Sequence, residues 1–243
     1  MGLKDAIRQN FDLSADAYDA YEARTGRFRT LARLLQSEMD RLSETPPDRL
    51  LDAGAGTGAS TRVLAERAES VVALDASREM LRANDAPARL QGDFDHLPLG
   101  EDTVDAVAFT ASLFLVPDPS VAAREARRVC RDGGVVGAVA PLGWVDADGR
   151  DVFATLDRDS RSPVGADAVE TALGDAFDAL ETGTWRFATT AADVAQFHCI
   201  PAMAARLYPK SSPEERVRKA GTLLDTLEGT FEQRWRWVVG VAD

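Results

Sequence analysis

The feature that most constrains this chain is the segment LLDAGAGTGAST at residues 50–61. A short apolar run ends in Asp52, glycines follow at positions 54, 56 and 58, and a helix-compatible run opens at Ala59. Glycines at such a turn let the backbone reverse sharply and approach a ligand without Cβ interference. From residue 49 the chain alternates short apolar runs with amphipathic segments, the pattern of βαβ units and a parallel sheet. Strands are predicted at 49–53, 70–75, 88–92, 104–110 and 135–141, with helices over 58–68, 77–84 and 119–131. The last of these helices should stop at Arg131-Asp132-Gly133-Gly134, with arginines in its final turns and glycine beyond.

On either side the rhythm differs. Residues 1–45 read as helical, with Phe28, Leu31, Ala32, Leu34 and Leu35 at helical spacing. Thr45-Pro46-Pro47-Asp48 then breaks the pattern. After Trp144, residues 146–178 read as polar and helical and 179–188 as a strand. Residues 191–229 read as two helices around Pro209 and Pro213, and 234–242 as a final strand. The implied organisation is an N-terminal helical cap over 1–45 and an α/β domain over 46–243. A helical lid on the substrate side is expected around 146–178 and 191–229.

Composition narrows the partners. The chain has 243 residues, enough for one α/β domain with a modest appendage. Forty acidic against 28 basic residues give a formal charge of −12. Such a surface repels phosphate backbones and argues against nucleic acid as a partner. Lys4, Lys210 and Lys219 are the only lysines, a bias that fits either salt adaptation or a GC-rich genome. Cys130 and Cys199 lie far apart, and two histidines and two cysteines at these spacings build no metal site. The opening MGLKDAIRQNFD lacks the apolar run of a secretory signal, and position 6 is Ala, which argues against myristoylation. The uncharged stretches 106–117 and 133–145 are too short to span a bilayer. The expectation is a cytoplasmic protein, monomeric or homodimeric, with a small-molecule substrate and no membrane partner.

The glycine loop alone fits two kinds of ligand, because Gly54, Gly56 and Ala59 also satisfy the dinucleotide pattern G-x-G-x-x-A. Asp52, two residues before the first glycine, would repel a pyrophosphate. It suits a ligand carrying cations, such as the sulfonium and ammonium of S-adenosylmethionine. The phosphate-cradling pattern G-x-x-x-x-G-K-[ST] fails, since no Lys follows Gly58. Asp75 ends the second strand, where an acid can accept from both ribose hydroxyls of an adenosine ligand; it can equally cap the helix beginning at Ser77. Gly92-Asp93-Phe94 ends the third strand, offering an acceptor for an adenine amino group and a ring to cover one face. Three acids and a glycine loop thus fall on one sheet edge, where open parallel sheets bind ligands.

Taken together, DAGAGTG, LDASREML, QGDFDHLPLGEDTVDAVAFTASLFLVPDP and REARRVCRDGGVVGAVAP resemble the class I S-adenosylmethionine-dependent methyltransferases, in particular the methyltransferase type 11 group. The likeness spans roughly residues 45–142. It implies a Rossmann-like, seven-stranded, mostly parallel sheet with helices on both faces and a final antiparallel hairpin. It implies S-adenosyl-L-methionine as cofactor and S-adenosyl-L-homocysteine as product. Asp52, Ala53, Gly54, Ala55, Gly56 and Gly58 would face the methionine portion, and Asp75 would hold the ribose. Ala76 and Met80 would pack on adenine, Asp93 would take its amino group, and Phe94 would flank it. Thr110 and Ala111 would line the methyl-transfer end. The opening IRQNFDLSADAYDAYEARTGRF resembles the group's N-terminal helices, which makes Tyr18, Tyr21 and Arg27 candidates for the methionine end.

One departure stands out. Relatives acting on quinones carry histidines after the fourth strand, where this chain has Ser112-Leu113-Phe114-Leu115. His198 is the remaining candidate base, with a packing role as the blander alternative, and His96 reads as structural. Trp144, Trp185, Phe197 and Tyr208 suit either an aromatic pocket or a core. Trp235 and Trp237 alternate on a strand and should pack on a helix. Arg124, Arg127, Arg128 and Arg131 read as a solvated helix face. Besides small-molecule methylation, three readings stay open: carboxyl methylation of a carrier-bound acyl group, an NAD-type oxidoreductase, and a non-catalytic S-adenosylmethionine-binding protein.

Overall fold

The structure is a computed structural model that describes residues 2–43, 45–154 and 164–242. Seven strands form one sheet in the order β3-β2-β1-β4-β5-β7-β6. They are β1 (Arg49–Ala53), β2 (Ser70–Asp75), β3 (Ala88–Gln91), β4 (Val104–Thr110), β5 (Cys130–Val145), β6 (Asp178–Thr190) and β7 (Thr230–Val241). Strands β1 to β5 are mutually parallel, and β7 runs antiparallel between β5 and β6. Four of the five residues of β1 and six of the seven of β4 are buried, as central strands covered on both faces require. The chain leaves β1 for β2 and β3 on one side, then crosses to β4 on the other. A crevice therefore opens between β1 and β4 at their carboxyl ends.

Ten α-helices surround the sheet among the described residues: α1 (Leu3–Asp12), α2 (Ala15–Thr25), α3 (Arg27–Leu42), α4 (Ala59–Leu64), α5 (Arg78–Ala83), α6 (Pro119–Val129), α7 (Ala166–Gly174), α8 (Ala191–His198), α9 (Pro201–Leu207) and α10 (Pro213–Leu224). Helix α3 buries Leu31, Ala32, Leu35 and Met39 against the sheet. By contrast α1 buries none of its residues and lies across the crevice. Helices α8 to α10 pack with α1 and α2 over a second apolar cluster that includes Tyr21, Trp144, Phe197 and Tyr208.

The fold class agrees with the expectation, and the differences are local. Helix α6 stops at Val129, not at the glycines, because Cys130 turns extended and pairs with Val104, while Arg131 bridges to Asp105 at 2.8 Å. Residues 191–229 hold three helices instead of two. Ile200 precedes Pro201 and takes ψ 128°, as a residue before proline prefers, so the helix is cut there. The predicted helical stretch 146–178 contains only α7 among its described residues. Asp146 Oδ1 accepts the Asp148 and Arg150 amides and makes a turn instead. Helix α7 packs on β5, β6 and β7, and residues 155–163 of that stretch lie outside the described set. Two of the three arginines of α6 are engaged: Arg128 pairs with Glu125 and donates to the Leu97 and Leu99 carbonyls, and Arg127 pairs with Asp132, while Arg124 is exposed as expected.

Candidate cofactor site at the carboxyl ends of the strands

A cavity occupies the crevice, and the loops after four strands converge on it. After β1, Gly54 and Gly56 take φ of +83° and +52°, a region that L side chains rarely adopt. At Gly54 space is also lacking. A Cβ there would stand 2.3 Å from Ser112 Cβ, because the Ser112 hydroxyl donates to the Ala53 carbonyl at 2.6 Å and clamps the two loops together. The loop after β4 carries its own strain, with Ala111 at φ +58°. Beside it Thr110, only 6% exposed, lines the cavity with a buried hydroxyl that has no partner.

The acids divide by position. Asp75 lines the cavity, and its two oxygens accept the Gly56 and Ser77 amides at 2.9 and 2.8 Å. It does not cap the next helix. Ser77 does, accepting from the Met80 amide, while its own hydroxyl donates to Asp12 at the end of α1. Burial pushes the Asp75 carboxyl up to about 6 against these hydrogen bonds. Asp93 stands at the mouth, paired with Lys4 of α1 at 3.0 Å; Lys4 also pairs with Asp95. Phe94 lines the cavity and meets Phe109 edge to face at 5.5 Å.

Asp52 requires a correction. It is fully buried, does not line the cavity, and accepts the Ser60 and Thr61 hydroxyls at 2.8 and 2.7 Å on Oδ2. Burial raises its carboxyl to about 6 as well. The strand end turns this side chain under the first turn of α4, away from the cavity lining. The acids that line the cavity are Asp75, Asp93 and Glu22.

Of the other expected residues, Gly54, Ala55, Gly56, Ala76, Met80, Thr110, Ala111 and Tyr18 share the cavity. Ala53 and Gly58 do not line it, and Gly58 instead abuts the Asn84 side chain. Tyr21 and Arg27 are also elsewhere. Tyr21 packs among Phe28 and Phe197, and Arg27 sits over the Phe187 ring. His198 is buried off the cavity, with Nδ1 against the Val194 carbonyl and its ring among Trp144, Phe153 and Phe197. Trp185 stacks on Trp237.

Sequence reasoning missed the contribution of α1, from which Lys4, Ile7, Arg8 and Phe11 line the cavity. It also missed Glu22 and Phe28. Glu22 accepts the Phe28 and Arg29 amides, capping α3 from five residues upstream. An acid spaced before a helix start is a faint signal of such a cap. Nothing local marks Ser112.

Known proteins share these features. The sequence model of a family described as a methyltransferase domain matches residues 51–137. The demethylmenaquinone methyltransferase of Corynebacterium urealyticum is 36% identical over 133 residues, covering 54% of this chain and 54% of that protein. The malonyl-[acyl-carrier protein] O-methyltransferase of Serratia marcescens is 32% identical over 164 residues, covering 60% of each. The chain thus spans about half the length of the curated relatives it matches. In fold it is similar to a methyltransferase structure from Thermotoga maritima, with a TM-score of 0.57 at 14% identity, covering 98% of this chain and all of that one. Residues 51–137 thus match a methyltransferase domain, set in a seven-stranded sheet whose fold is similar to that of solved methyltransferases.

Proposed function

We propose that this chain transfers the methyl group of S-adenosylmethionine to a small-molecule acceptor. The observation that carries the reading is the meeting of four strand ends in one cavity, where bare glycine backbone, Asp75, Asp93 and the unpartnered Thr110 hydroxyl face the same space. These groups fit the cofactor: Asp75 for the ribose hydroxyls, Ala76 and Met80 for the adenine faces, Asp93 for its amino group, Phe94 beside it. Gly54 to Gly56 lie toward the methionine portion, with Thr110, Ala111 and the Tyr18 hydroxyl toward the transferred methyl.

When bound, the cofactor supplies an already activated methyl on a sulfonium. The protein then has to orient the acceptor and exclude water. Phe11, Tyr18, Phe28 and Leu115 wall the cavity with apolar surface suited to that exclusion. No histidine lines it among the described residues, so the reading favours an acceptor nucleophilic without a base, such as a carboxylate, thiolate or amine. Helices α8 to α10, which brace α1 and α2, are the candidate cover on the acceptor side.

A second reading, carboxyl methylation of a carrier-bound acyl group, is favoured by the Serratia relative. Incubation with methyl-labelled cofactor and cell extract separates the readings. A labelled small molecule is expected. A labelled carrier protein replaces the first reading with the second, and retained S-adenosylhomocysteine binding with no label transfer overturns both in favour of a binding protein.

A further inference from the structure

Arg27, absent from the cofactor cavity, borders a second polar patch on the sheet face that α3 covers. Gln233 of β7 is 1% exposed, yet neither its amide nitrogen nor its amide oxygen has a partner. Trp235 projects from the same face two residues along, is equally buried, and leaves its indole N–H unpartnered. Across the ladder Gln233 lies opposite Phe187 of β6, and the Arg27 guanidinium sits 4.2 Å over that ring. Arg27 Nε is buried without a partner too. Its neighbours Arg24 and Arg29 are held by Asp193 and Glu22, whereas Arg27 has no carboxylate in ion-pair range among the described residues. The nearby Glu232 is likewise taken, by Arg234.

Four orphaned polar atoms on three adjacent residues are more than a packed core tolerates, since each buried group normally finds a partner. Their chemistry is one-sided. A guanidinium N–H, an indole N–H and an amide NH2 donate, against a single amide oxygen that accepts, and the set carries one positive charge. A planar oxyanion matches such donors, and the guanidinium fork suits a carboxylate above all. Two side chains connect the patch to the cofactor cavity: Phe28 lines that cavity and packs on Tyr21 at 6.0 Å, and Tyr21 feels the charge of Arg27.

We propose that Arg27, Gln233 and Trp235 form a subsite for a carboxylate group of the methyl acceptor. That the ligand is the acceptor rests on the methyl-transfer reading; the carboxylate site itself does not. The amide oxygen of Gln233 takes a hydroxyl or amine next to that carboxylate, and Phe28 separates the charged end of the molecule from the cofactor.

Benzoate is a direct probe, titrated into the S-adenosylhomocysteine-loaded protein while the 15N-labelled indole N–H of Trp235, assigned with Trp235→Phe, is followed by NMR. A saturable shift is expected, at least tenfold weaker in Arg27→Met and in Gln233→Leu, and absent with uncharged benzamide. A signal that does not move, moves equally in the variants, or responds as strongly to benzamide overturns the subsite. The same sample tells the two readings apart. Binding of S-adenosylhomocysteine without a benzoate response overturns the subsite alone, and a benzoate response without S-adenosylhomocysteine binding overturns the methyl-transfer reading alone.

Discussion

The cofactor cavity and the proposed carboxylate subsite are built on opposite terms. At the cofactor end most polar partners are close in sequence or lie on adjacent strands: Asp52 with Ser60 and Thr61, Asp75 with Ser77 and Gly56, Ser112 with Ala53. At the proposed subsite Arg27, Phe187 and Gln233 come from three distant segments, and polar atoms of Arg27 and Gln233 are left over. In the first region most hydrogen bonds are closed within the protein, with the Thr110 hydroxyl and Asp52 Oδ1 as the exceptions. The second holds polar capacity in reserve, which is what a site awaiting a ligand requires.

The sharpest way to break this contrast lies in the glycines. Gly54→Ala meets both a forbidden φ and the Ser112 side chain, and should cost about 2–5 kcal/mol. Gly56→Ala meets nothing within 4 Å and should cost only the backbone term, about 1–2 kcal/mol. Equal losses in urea unfolding would remove the claim that the two loops are clamped.

Protonation offers the next test. Burial holds the Asp52 and Asp75 carboxyls at about 6, above the unfolded value near 3.9. Between those pH values the folded chain keeps protons that the unfolded chain has released. These groups therefore favour folding below about pH 4, and the advantage is lost as pH rises through 6. Asp52→Asn cannot ionise, so its stability relative to the wild type should rise from pH 4 to pH 7, by up to about 3 kcal/mol. Glu125 and Asp193, held low by Arg128 and by Thr190 and Arg24, act in the opposite sense, so the difference between the two proteins is the readout. A flat difference means that Asp52 is solvated.

Asp75→Ala should weaken S-adenosylhomocysteine binding by about 1–3 kcal/mol in calorimetry, since it deletes the charged hydrogen bonds proposed to the ribose. In the wild type the affinity should rise between pH 5 and pH 7 as Asp75 ionises. The smallest effect belongs to α1. Lys4 and Asp93 are both half-exposed, so Lys4→Gln should lower thermal stability by about 1 kcal/mol or less. It should also speed S-adenosylhomocysteine release in stopped-flow, because it frees the start of α1, whose far end stays anchored by Ser77 and Arg216.

How far the sequence speaks follows from the same contrast. The strands at 49–53, 70–75 and 104–110 match the structure residue for residue, because continuous apolar runs with glycine and acid punctuation leave few alternatives. That Gly54, Ala55, Gly56 and Asp75 face the crevice is readable for the same reason, whereas Ala53 and Gly58 lie off it. Asp52 was misplaced because a strand end does not reveal whether its side chain meets the ligand or the following helix. Arg27 and Tyr21 were assigned by resemblance to an N-terminal helix whose docking is set by β6, β7 and α8, segments over 150 residues away. No local pattern carries that information. Lys4, likewise, acquires its role only when α1 lies across the β3 loop.

The central claim is that the cavity at the β1–β4 switch takes S-adenosylmethionine. Calorimetric titration of the purified protein with S-adenosylhomocysteine and, separately, with NADH tests it most directly. The account predicts saturable S-adenosylhomocysteine binding at one site per chain and no heat from NADH; tight NADH binding with no response to S-adenosylhomocysteine would contradict it.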